Sequence, residues 1–485
     1  MVIVREGNGA VFHTFHAIFL SFLIFFLSFS FAFAILFPLL FKTFVSFFSF
    51  TMFYARTLAV FMLVMYSSAY VLAHGTQPSE GNSSRKTFPT MHSDEQLRAL
   101  ADKLAHKFII VDGHVDLPYR LRVKNFKFVR EFIGIPIKAP DGDFDYVRAK
   151  KGGLSAPFMS IYTPSEYQKK GGAKQYADSV IDLVMGIPKN YPDKYALATS
   201  PSEIERNFRR GLISLPLGME NGAPIENDIK NVAYFHSRGI RYITLTHATD
   251  NLICDASYDT THTWNGLSPF GRDVVREMNR VGIMVDVSHV SDSAFYQVLR
   301  VSKAPVIASH SSCRRFTPSF ARNMSDEMIR ALAKNGGVIH INFSTYFLDD
   351  AKRKAMEQHG SELAKILKEK GIKEGDNEAK AVIAEYEKTH PLVFSDLEEV
   401  VNHIDHVVKM VGIEYVGFGS DFDGVGNSLP TGLKDVSQYP NLIYALLKRG
   451  YSEDDIAKIC YKNTFRVWRA VERAAHRAAR RPRAA

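Results

Sequence analysis

Seven apolar, β-branched runs in the 485-residue chain end in, or carry, a side chain able to bind a metal ion or move a proton. KFIIVDGHVD brings His114 and Asp116, GLISLPLGMENG brings Glu220, and IRYITLTHATDN brings His247. GIMVDVSHVSD supplies His289, PVIASHSS supplies His310, EYVGFGSDFDG supplies Asp421, and GGVIHINF carries His340 and Asn342. Short apolar runs flanked by Gly or Pro predict buried parallel strands. If such strands close into a barrel, polar residues at their C-terminal ends meet at one mouth. Three imidazoles and three carboxylates gathered there would make a metal centre.

The spacing supports that chemistry locally. His114 and Asp116 lie two apart on a strand, so both side chains share a face and can reach one ion. A buried carboxylate such as Glu220 needs a counter-charge or a proton; it reads either as a capping or salt-bridged residue or as a ligand shared by two ions. A single strand-end histidine is ordinarily a satisfied core residue, but His289 and His310 on successive strands weaken that reading, and neutral imidazole suits zinc. Ser288, Ser309 and Ser311 flank them as outer hydrogen-bond partners. Asp421 is placed to carry a proton between water and a leaving amine, whereas Asp423 reads as a structural loop aspartate. His247 is either a third ligand or a group that polarises a substrate oxygen. Arg314, Arg315 and Arg322 offer forks suited to a carboxylate. Cys313 has no paired base, so a cysteine nucleophile is set aside.

Strands are predicted at 107–112, 154–162, 212–218, 240–246, 282–288, 305–309, 337–343 and 414–420, with amphipathic helical stretches between several of them. The pattern predicts a (β/α)8 barrel of the TIM type. SDEQLRALADKLAHK, from Ser93, predicts a capped helix feeding the first strand. Residues 351–388 are charged and helix-favouring, and form a helical insertion before the last strand. A surface excursion is its plain reading and a lid over the site its functional one.

The ends of the chain read differently. Residues 1–73 form a hydrophobic leader. Ala17 to Phe41 carries no charge and is long enough to span a bilayer. A second apolar stretch ends at Val71-Leu72-Ala73, which has the small-residue pattern of a signal cleavage site, with Met52 as an alternative start. The expectation is an exported protein, periplasmic or extracellular, or one attached to the membrane through this segment. Residues 74–90 read as a polar linker, 91–470 as the barrel and 471–485 as a solvated basic tail. Much of the net charge of +9 sits in that tail, and no groove-reading or base-stacking motif accompanies it, so no nucleic-acid partner is expected. Three cysteines cannot pair completely within one chain, and no disulfide framework is required.

DGHVDLPYRLR, GMENG, LTHATDN, NGLSPFGRDVVREMNRVGIMVDVSHVSD, the SHSS block with ARNMSDEMI, and GSDFDGV follow one another between Leu100 and Arg469. In that order they resemble the membrane (renal-type) dipeptidase family of zinc-dependent, amidohydrolase-like barrels. The resemblance implies two zinc ions per subunit: His114 and Asp116 on one, His289 and His310 on the other, and Glu220 bridging. It implies that His247 contacts the scissile carbonyl, that Arg322 receives the terminal carboxylate, and that Asp421 is the acid/base. Two positions depart from the family pattern. Ser344 stands where renal-type members have a tyrosine after Asn-Phe, and the spacing from His310 to Arg322 differs, which leaves Arg314 or Arg315 open to share the role of Arg322. The basic tail does not lead one to expect the C-terminal lipid anchor of mammalian members.

The implied reaction is hydrolysis of small dipeptides, including those with a D-residue on the carboxyl side; a homodimer is left open. A metal-dependent N-acyl-amino-acid deacylase or lactonase is the nearest alternative. A non-catalytic peptide-binding barrel is the alternative of another class, and the intact set of eight site positions weighs against it.

Overall fold

The computed structural model describes residues 93–124, 136–373 and 376–480. The leader and linker expected over 1–90 lie outside these residues. Among the described residues, no helix is long and apolar enough to cross a membrane.

Ten strands occur in chain order: β1 (Ile110–Val115), β2 (Leu154–Tyr162), β3 (Tyr195–Leu197), β4 (Ile213–Leu215), β5 (Leu217–Glu220), β6 (Ile240–Thr244), β7 (Met284–Asp286), β8 (Ile307–Ser311), β9 (Val338–Ile341) and β10 (Val416–Phe418). All but β3 and β4 close into one parallel barrel in the order β1-β2-β5-β6-β7-β8-β9-β10. The ring is sealed by pairing of β1 with β10, in register at Asp112 and Phe418, and by a further bridge from Val115 to Phe422. Every residue of β1 is buried, as expected of strands covered on both faces.

The (β/α)8 barrel read from the sequence is therefore the fold, with local shifts. The strand expected at 212–218 is two strands broken at Pro216, which has no N–H to give to a ladder. Its first half, β4, pairs with β3 in a separate two-stranded sheet, while β5 enters the barrel. β1 begins at Ile110 rather than at 107 because the preceding helix, Asp94–Lys107, keeps its last turn; Ser93 and Gln96 form its capping box. The charged insertion forms two helices, Asp350–Glu369 and Asn377–Thr389. The first is fastened to the loop after β8, where Arg353 donates to Ser319 Oγ at 2.7 Å and lies over the Phe320 ring.

The boundary drawn at 470 is corrected by the structure. The final helix runs Asn463–Arg480, so residues 471–480 continue it instead of fraying, and Val471 is fully buried. Val467, Trp468 and Val471 recur at helical spacing, and their burial holds the arginine-rich turns in helix. Phe465, Trp468 and Val471 close an apolar cluster formed by Val111, Phe158, Tyr242, Met284, Ile307 and Val338 of six barrel strands. Several of these lie at strand starts, so that end of the barrel is plugged with hydrocarbon, and the polar strand ends face the opposite mouth.

Candidate metal centre

Glu220, the last residue of β5, sits at the middle of the mouth, 4% exposed. Its two oxygens face different partners. Oε2 lies 3.4 Å from His114 Nε2 and accepts from Ser160 Oγ at 3.2 Å. Oε1 lies 3.1 Å from His289 Nε2, 3.4 Å from His310 Nε2 and 3.6 Å from His247 Nε2. Asp116 Oδ2 is 3.3 Å from His114 Nε2. The donor atoms fall into three overlapping groups: His114, Glu220 and His310; Glu220, His247 and His289; and His114, Asp116 and Asp421. A cleft of about 190 Å³ opens over them, with Tyr119 and Tyr162 in its wall.

The residues fit metal ions. His114 Nε2 and Asp116 Oδ1 are buried without hydrogen-bond partners, a costly arrangement unless a cation takes the lone pairs. The far side of two imidazoles is fixed by neighbours, as metal-binding histidines require. His114 Nδ1 is 2.9 Å from Tyr242 Oη, and His310 Nδ1 is 2.8 Å from Ser309 Oγ. Burial, aided by Arg322, holds His289 and His310 well below the usual imidazole range, so both are neutral and keep a lone pair. Burial alone would raise Glu220, but His114 and His247 outweigh it and hold the carboxylate well below its ordinary value. Burial also pushes His114 down, yet Tyr242, Glu220 and Asp116 together carry it well above its ordinary value.

Asp421 follows β10 in a left-handed backbone conformation, φ 65°, and His289 does so after β7, φ 68°. Such backbone is uncommon for non-glycine residues and here turns both side chains at the strand ends. Asn342 Nδ2 donates to Asp421 Oδ2 at 2.8 Å. Burial pushes Asp421 up to about 8; Asp116 and Glu220 reinforce the rise and His114 opposes it. Arg322 is 3% exposed, donating to Ser311 Oγ at 2.6 Å and to the His310 carbonyl at 2.8 Å.

Residues 98–482 match the model of the membrane dipeptidase family, peptidase family M19. The chain belongs to that family. Dipeptidase tcpJ of Claviceps purpurea is 34% identical over 372 residues, 74% of this chain and 76% of that protein. An uncharacterized dipeptidase of Schizosaccharomyces pombe is 30% identical over 381 residues, 76% of this chain and 82% of that one. Among solved structures, the probable dipeptidase PvdM from Pseudomonas aeruginosa aligns with TM-score 0.66 and 25% identity, covering 80% of this chain and all of that one, 100%. A metallo peptidase from Rhodobacter sphaeroides, liganded with a phosphinate mimic of the dipeptide L-Ala-D-Ala, aligns with TM-score 0.61 and 24% identity over 75% of this chain and 99% of that one. This member of the dipeptidase family is thus a hydrolase of the metallopeptidase kind.

Other residues marked in the sequence fall outside the dipeptidase cluster. His340 is spent within the barrel, its ring nitrogens 3.0 Å from the Ala308 carbonyl and 2.9 Å from Thr464 Oγ1. Asp423 accepts from Arg120 at 2.9 Å and ties two loops, the structural role expected. Arg314 is clamped on Asp292 through both terminal nitrogens, at 2.7 and 2.6 Å, and Arg315 is exposed. Cys313 is buried and its thiol is pushed far up by burial, which suits packing and not nucleophilic attack. Ser344 is fully buried, its Oγ 2.7 Å from Ser428 Oγ, and caps the short helix Thr345–Leu348.

Three contributors went unmarked in the sequence reading: Asp112, Asp286 and Tyr242. Asp112 Oδ1 accepts the amides of His114 (3.0 Å) and Ser420 (2.9 Å). Asp286 Oδ1 accepts those of Ser288 (3.1 Å) and Ser309 (2.9 Å). A carboxylate inside an apolar strand, as in IIVDG and IMVDV, was the available signal, because it must find donors where it is buried.

Proposed function

We propose that this dipeptidase holds two zinc ions, with His114 and Asp116 on one, His289 and His310 on the other, and Glu220 between them. What carries the reading is the division of Glu220, with Oε2 3.4 Å from one imidazole and Oε1 3.1 and 3.4 Å from two others. When bound, the ions supply Lewis acidity at the amide carbonyl and render water nucleophilic near neutral pH.

The side chains do the remaining work. Arg322, rigid and buried, receives the terminal carboxylate and so sets the position of the peptide bond. His247, whose pKa burial lowers, is neutral and hydrogen-bonds the carbonyl oxygen as negative charge grows there. Asp421, steadied by Asn342, takes the proton of the attacking water and passes it to the departing nitrogen. The cleft, about 190 Å³, is smaller than the roughly 300–1,000 Å³ of drug-sized sites, which suits a dipeptide better than a longer chain. The reading extends to carboxyl-side D-residues, the kind of substrate mimicked by the ligand of the Rhodobacter sphaeroides fold neighbour. It also extends to export or membrane attachment through the apolar segment ahead of residue 74.

The test is metal analysis of the purified protein, with turnover of L-Ala-D-Ala, L-Ala-L-Ala and N-acetyl-alanine measured before chelation, after it, and after zinc return. About two zinc ions per chain and chelator-sensitive dipeptide hydrolysis are expected. Turnover of the acyl amino acid without the dipeptides would replace this reading by a deacylase.

A further inference from the structure

We propose that Tyr242 is a positioning residue of the metal centre: its hydroxyl holds the His114 ring so that Nε2, and not Nδ1, is presented to the ion. The proposal rests on the two-zinc reading above. An imidazole that binds an ion through one ring nitrogen carries its proton on the other, and a fixed partner for that proton selects the binding face. His114 Nε2 lies 3.3 Å from Asp116 Oδ2 and 3.4 Å from Glu220 Oε2, and it has no hydrogen-bond partner. Nδ1 instead lies 2.9 Å from Tyr242 Oη, which accepts its proton when Nε2 is the ligand atom. His310 is held by a different device, Ser309 Oγ, which in turn donates to Asp286. The two ligand histidines are thus oriented independently, and each can be disturbed alone.

A phenol reaches His114 from β6 only because β5 gives up a side chain beneath it. Tyr242 is in register with Gly218, and paired residues of neighbouring strands point to the same face of the sheet. A Cβ at 218 would stand 2.0 Å from Tyr242 Cζ and 2.2 Å from its Cε1. The ring therefore lies across Gly218 and carries its hydroxyl from β6 to His114 on β1. Phe158 backs this ring at 5.2 Å between centroids, and Trp468 of the final helix backs Phe158 at 5.2 Å. All three rings are buried, and close packing of this kind leaves the phenol one orientation. On the other side of Gly218, in the same register row, stands Ser160, whose hydroxyl donates to Glu220 Oε2 at 3.2 Å. The row Ser160, Gly218, Tyr242 thus aims one hydroxyl at each of two donor groups that share an ion in this reading.

The test is zinc competition against a chromogenic chelator in the purified wild type, Tyr242→Phe, Gly218→Ala and, for reference, His114→Ala. Tyr242→Phe keeps the ring and removes only the hydroxyl. The zinc constant that His114→Ala abolishes should weaken about 10- to 100-fold in Tyr242→Phe, with the other constant unchanged. Gly218→Ala, which keeps the hydroxyl but displaces its ring, should weaken the same constant; should it not fold, Tyr242→Phe decides alone. Equal weakening of both constants in Tyr242→Phe marks a merely structural role and overturns the proposal. A wild type that binds fewer than two ions brings down the two-zinc reading and the proposal with it. Two ions held as tightly by Tyr242→Phe as by wild type bring down the proposal alone.

Discussion

Asp112 and Asp286 play the same part on two sides of the barrel: each, fully buried in a strand, uses one carboxylate oxygen to hold two backbone amides, one on its own segment and one on a neighbouring one. Each spends its other oxygen on hydroxyls, from Tyr439 for Asp112 and from Thr244 and Ser309 for Asp286. The amides so held flank His114 and Asp421 in one case, and His289 and His310 in the other. The backbone that carries the proposed ligands is thus held by two carboxylates outside the donor groups.

Replacing Asp286 by Asn should therefore weaken metal binding without removing a ligand. Oδ1 is kept as an acceptor, but the Ser309–His310 relay loses its anionic terminus. A drop of about 10- to 100-fold in zinc affinity is expected, measured by competition with a chromogenic chelator. Unaltered affinity would reduce Asp286 to a packing residue.

Asp421→Asn removes the proton carrier while preserving size and the neighbouring amide contacts. kcat should fall by about 10²- to 10⁴-fold with the zinc content unchanged. Steady-state kinetics alongside metal analysis separates this outcome from simple loss of an ion.

Asp423, whose side chain is fully buried, contributes one component of the pH dependence of stability in the chelated protein. Burial pushes it up to about 7; Arg120 pulls it down and Asp143 pushes it further up. A carboxyl whose folded pKa stands above its unfolded one stabilises fully below about 4, and that stabilisation is lost as pH rises toward 7. Asp421, pushed up to about 8, acts with the same sign. In urea unfolding at pH 4 to 7, Asp423→Asn should gain stability relative to wild type as pH rises, by up to about 1.4 kcal/mol per pH unit.

Ser344→Tyr places a large ring in a fully buried site already occupied by the contact with Ser428. It should cost about 3 kcal/mol by overpacking and should not lower KM. Denaturant midpoints and dipeptide kinetics on one preparation measure both.

Arg353 fastens the first insertion helix to the loop that leads to Arg322, through Ser319 and the Phe320 ring. Arg353→Met should raise KM about threefold with kcat preserved, because it loosens the carriage of Arg322 and not the reacting groups.

The barrel was legible in the sequence because each inner strand is an apolar run whose polar end had to face a mouth; β2 falls on the very residues expected, Leu154–Tyr162. Pro216 was equally visible, but its effect, turning Ile213–Leu215 aside to pair with β3, depends on a three-residue strand too short to stand out in the sequence. The ligand histidines stood out as polar interruptions of strand ends. Asp112 and Asp286 sit two and three residues ahead of His114 and His289 and looked like ordinary members of the motif, since their value lies in amides that periodicity does not report. His340 shows the reverse: a polar strand residue that resembled a ligand and is satisfied within the barrel by Ala308 and Thr464. At the C-terminus, the density of arginine hid Val467, Trp468 and Val471, whose spacing would have extended the helix.

The strand ring has a join, where β1 meets β10 with one register pair and a single further bridge among the described residues. His114 and Asp116 come from one side of that join and Asp421 from the other, and the Asp421 amide donates to the His114 carbonyl across it at 3.1 Å. On the proposed mechanism, barrel closure and assembly of the reacting groups are consequently linked. A chain without β10 would have neither a closed ring nor Asp421, the proposed acid/base, so on the proposed mechanism it would not hydrolyse peptides.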